Sequence, residues 1–198
     1  MTKILIIGAH GEIARVATRL FLERDDIDLT LYLRRAKRLS ALADDPRVRL
    51  VEGDAQDLAQ LKAVMPGHDA VYANLAGPMG RQAKAIVKAM QETGLRRLIF
   101  ISSMGIYDEV PGEQAGSVLD PYRESAAVIE ASDLDYTILR PAWLDNQDIV
   151  AYGTTRKGES FKAPGATVSR RSVADLVLKL ATTPGLHLRE SLGIHRAG

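Results

Sequence analysis

The feature that most constrains this chain is a glycine turn: Gly8-Ala9-His10-Gly11-Glu12-Ile13-Ala14 follows the apolar run Ile4–Ile7 with no spacer. Directly after it, Ile13, Val16, Leu20 and Phe21 recur at helical spacing, one apolar stripe fit to pack on a sheet. Glycines at such a strand-to-helix turn let backbone amides and the positive end of the helix approach a pyrophosphate. The small third position, Ala14, lets the helix lie close to the sheet. The same spacing without a ligand is only a tight turn, and its place in the first strand–helix unit is what favours a dinucleotide site. Two other chemistries are absent. No glycine loop ends in Gly-Lys-Ser or Gly-Lys-Thr, which argues against nucleotide hydrolysis, and Ser103 has Ile101 rather than glycine two positions before it, which excludes a hydrolase nucleophile elbow.

The rest of the chain repeats this alternation. Ile4–Ile7, Leu29–Leu33, Val48–Val51, Ala70–Asn74, Leu98–Ile101 and Tyr136–Leu139 read as strands. Ala83, Ile86, Val87 and Met90 form a second helical stripe ending at Gly94; Val173, Leu176, Val177 and Leu180 form a third, with Ser172 as its expected N-cap. Six strand–helix repeats predict an α/β doubly wound fold: a mostly parallel sheet, helices on both faces, and a small C-terminal region on the substrate side. Two breaker-rich stretches, about 104–121 and 143–167, are the expected walls of a cleft, because ligands in such folds lie beyond the C-terminal strand ends.

Composition narrows the class. The 198 residues suffice for one sizeable core, so residues 1–198 are expected to form a single domain. Twenty-six basic against 25 acidic residues leave a net +1, which argues against nucleic acid as a partner. With no cysteine there is no disulfide, Cys-ligated metal or thiol nucleophile, and the four histidines, His10, His68, His187 and His195, lack metal-site spacing. Three of them, and the pairs Arg96-Arg97 and Arg170-Arg171, read most simply as solvated surface. No apolar run reaches membrane-spanning length and the first apolar stretch is too short for a signal core, so no membrane partner and a cytoplasmic location are expected.

The second strand selects the nucleotide. It ends in Arg34-Arg35, with Lys37 and Arg38 one turn on, rather than in the acidic residue usual at NAD sites. A guanidinium on the extra phosphate adds charge-assisted bonds of about 1.5–3 kcal/mol, so NADP(H) is the preferred cofactor, with NAD(H) the less favoured alternative. A solvated basic turn is the plainer reading of the same residues.

In order, GAHGEIA, LRR, GDAQDL, ANLAG, ISSMGIY and SDLDYTILRPAWL resemble the atypical short-chain dehydrogenases, most of all their NmrA-like, NAD(P)H-binding group, which includes biliverdin and flavin reductases. The likeness spans nearly the whole chain. It implies a Rossmann fold with Gly8, His10, Gly11, Glu12 and Ile13 on the pyrophosphate, and Arg34 and Arg35 on the 2′-phosphate. It also implies Asp54 and Ala55 at the adenine, Asn74, Leu75, Ala76 and Gly77 under the adenosine ribose and diphosphate, and Pro141 and Ala142 at the nicotinamide amide. Ser103 falls at the active-site serine or threonine position.

The departures are informative. Members of the wider superfamily pass a proton through a Tyr-x-x-x-Lys pair. Counting back from Ser132 to Arg140, the lysine position holds Tyr122 and the tyrosine position Val118; four residues after Tyr122 and Tyr107 stand Ala126 and Pro111. A reductase lacking this relay suits a quinone or flavin, whose reduced anion is delocalised, better than a ketone. Tyr122 is then expected to bond the nicotinamide ribose or stack near the acceptor, or merely to pack at a helix start. Trp143 either walls the acceptor site or packs. A non-enzymatic NADP(H) sensor that binds a protein partner is the rival reading. Sugar-nucleotide epimerisation is disfavoured, since it too needs the relay.

Overall fold

The computed structural model describes residues 1–112 and 116–197; residues 113–115, inside the first expected loop, and residue 198 lie outside the description. The elements are β1 (Thr2–Ile7), α1 (Glu12–Leu22), β2 (Ile27–Leu33), β3 (Val48–Glu52), α2 (Leu58–Val64), β4 (Ala70–Ala73), α3 (Met79–Thr93), β5 (Arg97–Ile101), α4 (Asp120–Glu130), β6 (Asp135–Pro141), β7 (Trp143–Asp145), β8 (Tyr152–Arg156), β9 (Thr167–Ser169), α5 (Arg170–Thr182) and β10 (Glu190–Arg196). The main sheet runs β3-β2-β1-β4-β5-β6-β10-β8. Its strands are parallel except β8, which is antiparallel to β10, and β7 pairs with β9 separately.

The apolar runs become strands because both faces of the sheet are covered. In β1, Ile4 and Ile6 join the core shared with α1 and α5, while Leu5 and Ile7 join the opposite core with α2, α3 and α4. All four are fully buried, each worth roughly 1.5–3 kcal/mol relative to exposure, so a one-residue slip of register would exchange two complete faces. α1 buries Ile13, Ala14, Ala17, Leu20 and Phe21, the stripe visible in the sequence, and α3 ends at Gly94 as expected.

Four expectations are corrected. The link from β2 to β3 has no apolar stripe and forms a 3-10 stretch, Ala36–Leu42, kinked at Leu39. The six-strand repeat is an eight-stranded sheet, since β10 inserts beside β6 and β8 adds an antiparallel edge; the 143–167 stretch holds β7, β8 and the start of β9. Ser169, not Ser172, caps α5: extended Ser169 accepts from the Ser172 amide, while the buried Ser172 hydroxyl accepts from the Ala151 amide and bonds the Ile149 carbonyl. Nor are the set-aside polar residues all surface. Arg97 is half-buried and clamps the Asp135, Leu180 and Leu186 carbonyls, His68 meets Thr30 Oγ1 at 2.9 Å, and His195 is buried.

The loop after β5 is anchored from below. Arg140 of β6 has no exposed surface; it pairs with Glu109 and donates from Nε to Ser191 Oγ of β10 at 3.0 Å. Glu109 also accepts from the amides of Gly105 (3.0 Å) and Tyr107 (2.9 Å), so one carboxylate ties the loop to the sheet.

Candidate functional site

β1 lies between β2 and β4, where the strand order turns back, and a crevice opens at their C-terminal ends. A cavity of about 720 Å³ follows it. Gly8, His10, Gly11, Arg34, Arg35, Asp54, Ala55, Asn74, Leu75, Ala76 and Gly77 line this cavity, as do Arg38 and, among residues with no signal in the sequence, Gln82. Gly8 has φ +79°, and a Cβ there would stand 2.2 Å from the Asn74 carbonyl oxygen; a Cβ on Gly11 would stand 2.0 Å from Asn74 Nδ2. The turn is therefore pressed onto the end of β4 and leaves backbone facing the crevice. Gly11 caps α1 without a side-chain bond, so the first-turn amides remain for an anion.

Electrostatics in this cavity favour anions. Arg34, Arg35 and Arg38 are exposed and form no ion pair among the described residues. Burial, then the charges of Arg15 and Arg38, lower the pKa of His10, which favours its neutral ring. The floor is fixed by Tyr32, whose hydroxyl lies 2.8 Å from the Asp54 carbonyl and 3.1 Å from Gln60 Oε1; Asp57 caps α2 through the Gln60 amide. Burial first, then Asp57 and Asp54, push Tyr32 up to about 12, which keeps it a neutral donor. The GDAQDL segment is thus a braced turn.

Asn74 and Leu75 also belong to a second cavity, of about 450 Å³, lined further by Ile101, Ser102, Ser103, Tyr122, Pro141, Ala142, Trp143, Leu144 and Arg170. Glu12 and Ile13 line this one and not the first. The Ile13 side chain is buried in the core and the Glu12 carboxylate pairs with Arg170, so what they could offer in the expected phosphate role is backbone amide alone. Ser103 Oγ donates to the Met104 carbonyl at 3.1 Å. The Tyr122 hydroxyl has no hydrogen-bond partner among the described residues, and Ala126, four residues on, is buried inside α4. Val118, at the expected relay-tyrosine position, is 78% exposed. Tyr107 takes no part in the cavity: its hydroxyl donates to Glu130 Oε1 at 2.7 Å, Arg140 and Lys157 flank its ring, and burial pushes its pKa up. Trp143 is 65% exposed and stands at the cavity wall. Ser102 Oγ, buried and unpartnered, and Arg170 carried no sequence signal beyond belonging to a strand end and a basic pair.

The fit to a dinucleotide is direct. Two glycines against Asn74, uncapped helix amides and a basic rim form a cradle that any side chain at Gly8 or Gly11 would fill. A twisted parallel sheet with this cradle at its switch point, opening into a second cavity, defines an NAD(P)-binding Rossmann protein.

The family model described as NAD(P)H-binding (NAD_binding_10) matches residues 8–184, and the chain belongs to that family. It is similar to a Rossmann-fold NAD(P)-binding family protein of Shigella flexneri, 39% identical, TM-score 0.87, covering 100% of this chain and 95% of that one. It is also similar to a wide-type short-chain dehydrogenase/reductase of Veillonella parvula solved with NADP, 29% identical, TM-score 0.90, with the same coverage. A curated relative, the "uncharacterized sugar epimerase" YhfK of Bacillus subtilis, is 27% identical over 195 residues, 89% of this chain and 86% of its own length. These likenesses place the chain among NAD(P)-binding Rossmann-fold proteins, with structural similarity to short-chain dehydrogenases/reductases. No helix among the described residues is long and apolar enough to cross a membrane.

Proposed function

We propose that this protein is an NADPH-dependent reductase that transfers hydride to a small conjugated acceptor, such as a quinone or flavin, seated in the second cavity. The observation that carries the reading is the lining of that cavity: it adjoins the cofactor crevice at Asn74 and Leu75, is walled by Ile101, Pro141, Ala142 and Leu144, and holds no lysine among its described residues. Reducing a ketone creates an alkoxide, and a missing general acid commonly costs about 10²–10⁴-fold. A quinone or flavin spreads the arriving charge over its ring system, so positioning suffices. NADPH, when bound, supplies the hydride. Pro141 and Ala142 hold the nicotinamide amide through their backbone, Ser103 orients an acceptor oxygen after turning from the Met104 carbonyl, and Tyr122 bonds the ribose or covers the acceptor ring.

NADPH is preferred because Arg34, Arg35 and Arg38 stand together without carboxylate partners. The missing relay equally favours an NADP(H)-sensing role with a protein partner, and the roomy second cavity is what tips the balance toward turnover. A fluorescence titration with NADPH and with NADH, followed by quinones and free flavin, tests both readings. Tight NADPH binding with acceptor-dependent oxidation is expected; tight binding without turnover on any acceptor would transfer the case to the sensor. Arg34→Ala should weaken NADPH by about tenfold or more and NADH by less than about twofold. Equal weakening of both nucleotides would remove Arg34 from the phosphate site.

A further inference from the structure

Arg170, first residue of α5, is the one basic side chain among the described residues lining the second cavity, and it does not line the first. Its side chain is only 18% exposed, so a guanidinium is held at a wall that sets Pro141, Ala142, Trp143 and Leu144 beside the hydroxyls of Ser103 and Tyr122. Nη1 donates to Asn146 Oδ1 at 3.0 Å, Nη2 meets Glu12, and Nε is buried with no acceptor. A guanidinium offers five donors in a fixed fork, and leaving one buried and unpaired is unfavourable. Glu12, the partner that neutralises it, is 64% exposed. A carboxylate that is mostly in water is weakly held, since exposed ion pairs contribute little. Arg170 therefore stands between the second cavity and a neighbouring one of about 440 Å³ that Asn146 lines, incompletely satisfied, with a counter-ion that is mostly in water.

We infer that Arg170 recognises an anionic group, a carboxylate or phosphate, on the acceptor, which displaces Glu12 and takes the guanidinium fork. The acceptors of this protein are accordingly acidic conjugated molecules: the ring lies along Trp143 and Leu144, and the acid group lies toward the start of α5. This inference rests on the reading of the second cavity as the acceptor site. The cofactor's own phosphates are the competing source of an anion, and NADPH affinity in the Arg170 variants distinguishes the two.

The test compares acceptors that differ only in charge, riboflavin with FMN and 1,4-naphthoquinone with its 2-sulfonate, on the protein saturated with NADP⁺. Flavin anisotropy gives affinity and NADPH oxidation gives KM. FMN should bind about tenfold or more tightly than riboflavin, and the sulfonate should show a correspondingly lower KM. Arg170→Ala should bring both ratios near one with less than about a twofold change in NADPH affinity, and Arg170→Lys, which keeps charge but loses the fork, should fall between. Glu12→Gln, which frees Arg170, should tighten FMN by about 1.5- to 5-fold, an opposite-signed effect that stands even if Arg170→Ala folds poorly. Ratios near one in the unaltered protein, ratios that survive Arg170→Ala, binding by none of the four, or an NADPH loss matching the FMN loss would each overturn the inference. Arg170-dependent FMN binding without NADPH oxidation would instead sink hydride transfer and leave the anion site standing. Turnover with no charge preference would do the reverse.

Discussion

Alanine at Gly8 and alanine at Gly11 should fail in different ways although both lie in one turn. At Gly8, φ is +79°, and holding an L-residue there costs roughly 1–2 kcal/mol. The new methyl would also stand 2.2 Å from the carbonyl oxygen of Asn74, whose amide is fixed to the Ile7 carbonyl at 2.9 Å. Overpacking against fixed backbone adds about 1–3 kcal/mol, so Gly8→Ala should lose roughly 2–5 kcal/mol in urea unfolding. Gly11 has φ −58° and ψ 151°, which any residue adopts, and its methyl would overlap the amide end of the Asn74 side chain, with the Gly8 carbonyl oxygen next at 3.3 Å. That end can swing, so the stability cost should stay near 1 kcal/mol, while the displaced amide alters the wall common to both cavities. NADPH affinity should then fall by about tenfold, 1.4 kcal/mol. Adding Asn74→Ala removes the overlap, so the double variant should be more stable than the two single losses sum to, by at least about 0.5 kcal/mol. Equal stability losses at Gly8 and Gly11, or strict additivity in the double variant, would refute the view that the turn is shaped by its contact with Asn74.

Two further outcomes probe the second cavity and its anchor. Tyr122→Phe should lower quinone or flavin reduction by less than about tenfold, since no relay lysine supports its hydroxyl; a loss of several thousandfold in a folded variant would make it the proton donor. Glu109→Gln should destabilise the protein by about 3 kcal/mol by leaving Arg140 buried and unneutralised. Burial alone would raise the Glu109 pKa, but its own backbone amide, Arg140, and the Tyr107 and Gly105 amides carry it below its ordinary value. A depressed folded pKa contributes stability that is complete above the unfolded value and lost as pH falls through the folded one. The acid limb of a stability–pH curve should therefore be flatter in Glu109→Gln, and an unchanged limb would exclude Glu109 as its source.

The first six strands were legible because burial on both faces leaves continuous apolar runs, and the glycine turn was legible because it joins such a run to a helical stripe. β10 escaped because ESLGIHR mixes glycine, histidine and polar residues in a strand whose polar groups are buried among Arg140, Thr155 and Phe161 rather than aligned on one wet face. Many residues lining the first cavity were legible because they follow strands directly, whereas Tyr32, Gln56 and Gln82 reach it from a strand, a turn and a helix with no signal of their own. Arg170 was not legible: a basic pair has the same spelling whether solvated or half-buried, and only the approach of α5 to the start of α1 decides between them. Arg38, one turn past the Arg34-Arg35 pair, reaches the crevice on a 3-10 stretch rather than on a helix.

The insertion of β10 between β6 and β8 orders the events of synthesis. Everything that lines the cofactor crevice lies before residue 83, and the strands that carry it, β1 to β4, neighbour one another in the sheet. β8 has no sheet neighbour except β10, which the ribosome delivers more than thirty residues later. Until then β6 is an open edge able to pair with a foreign strand, Arg140 lacks its Ser191 partners, and the Ala142 amide lacks the Ile194 carbonyl it bonds at 2.9 Å. The half of the molecule that grips the nucleotide can therefore close early in translation. The second cavity, whose wall includes Ala142, is completed only when β10 emerges, and a nascent chain stalled before residue 190 would hold a nucleotide crevice beside an unfinished second cavity.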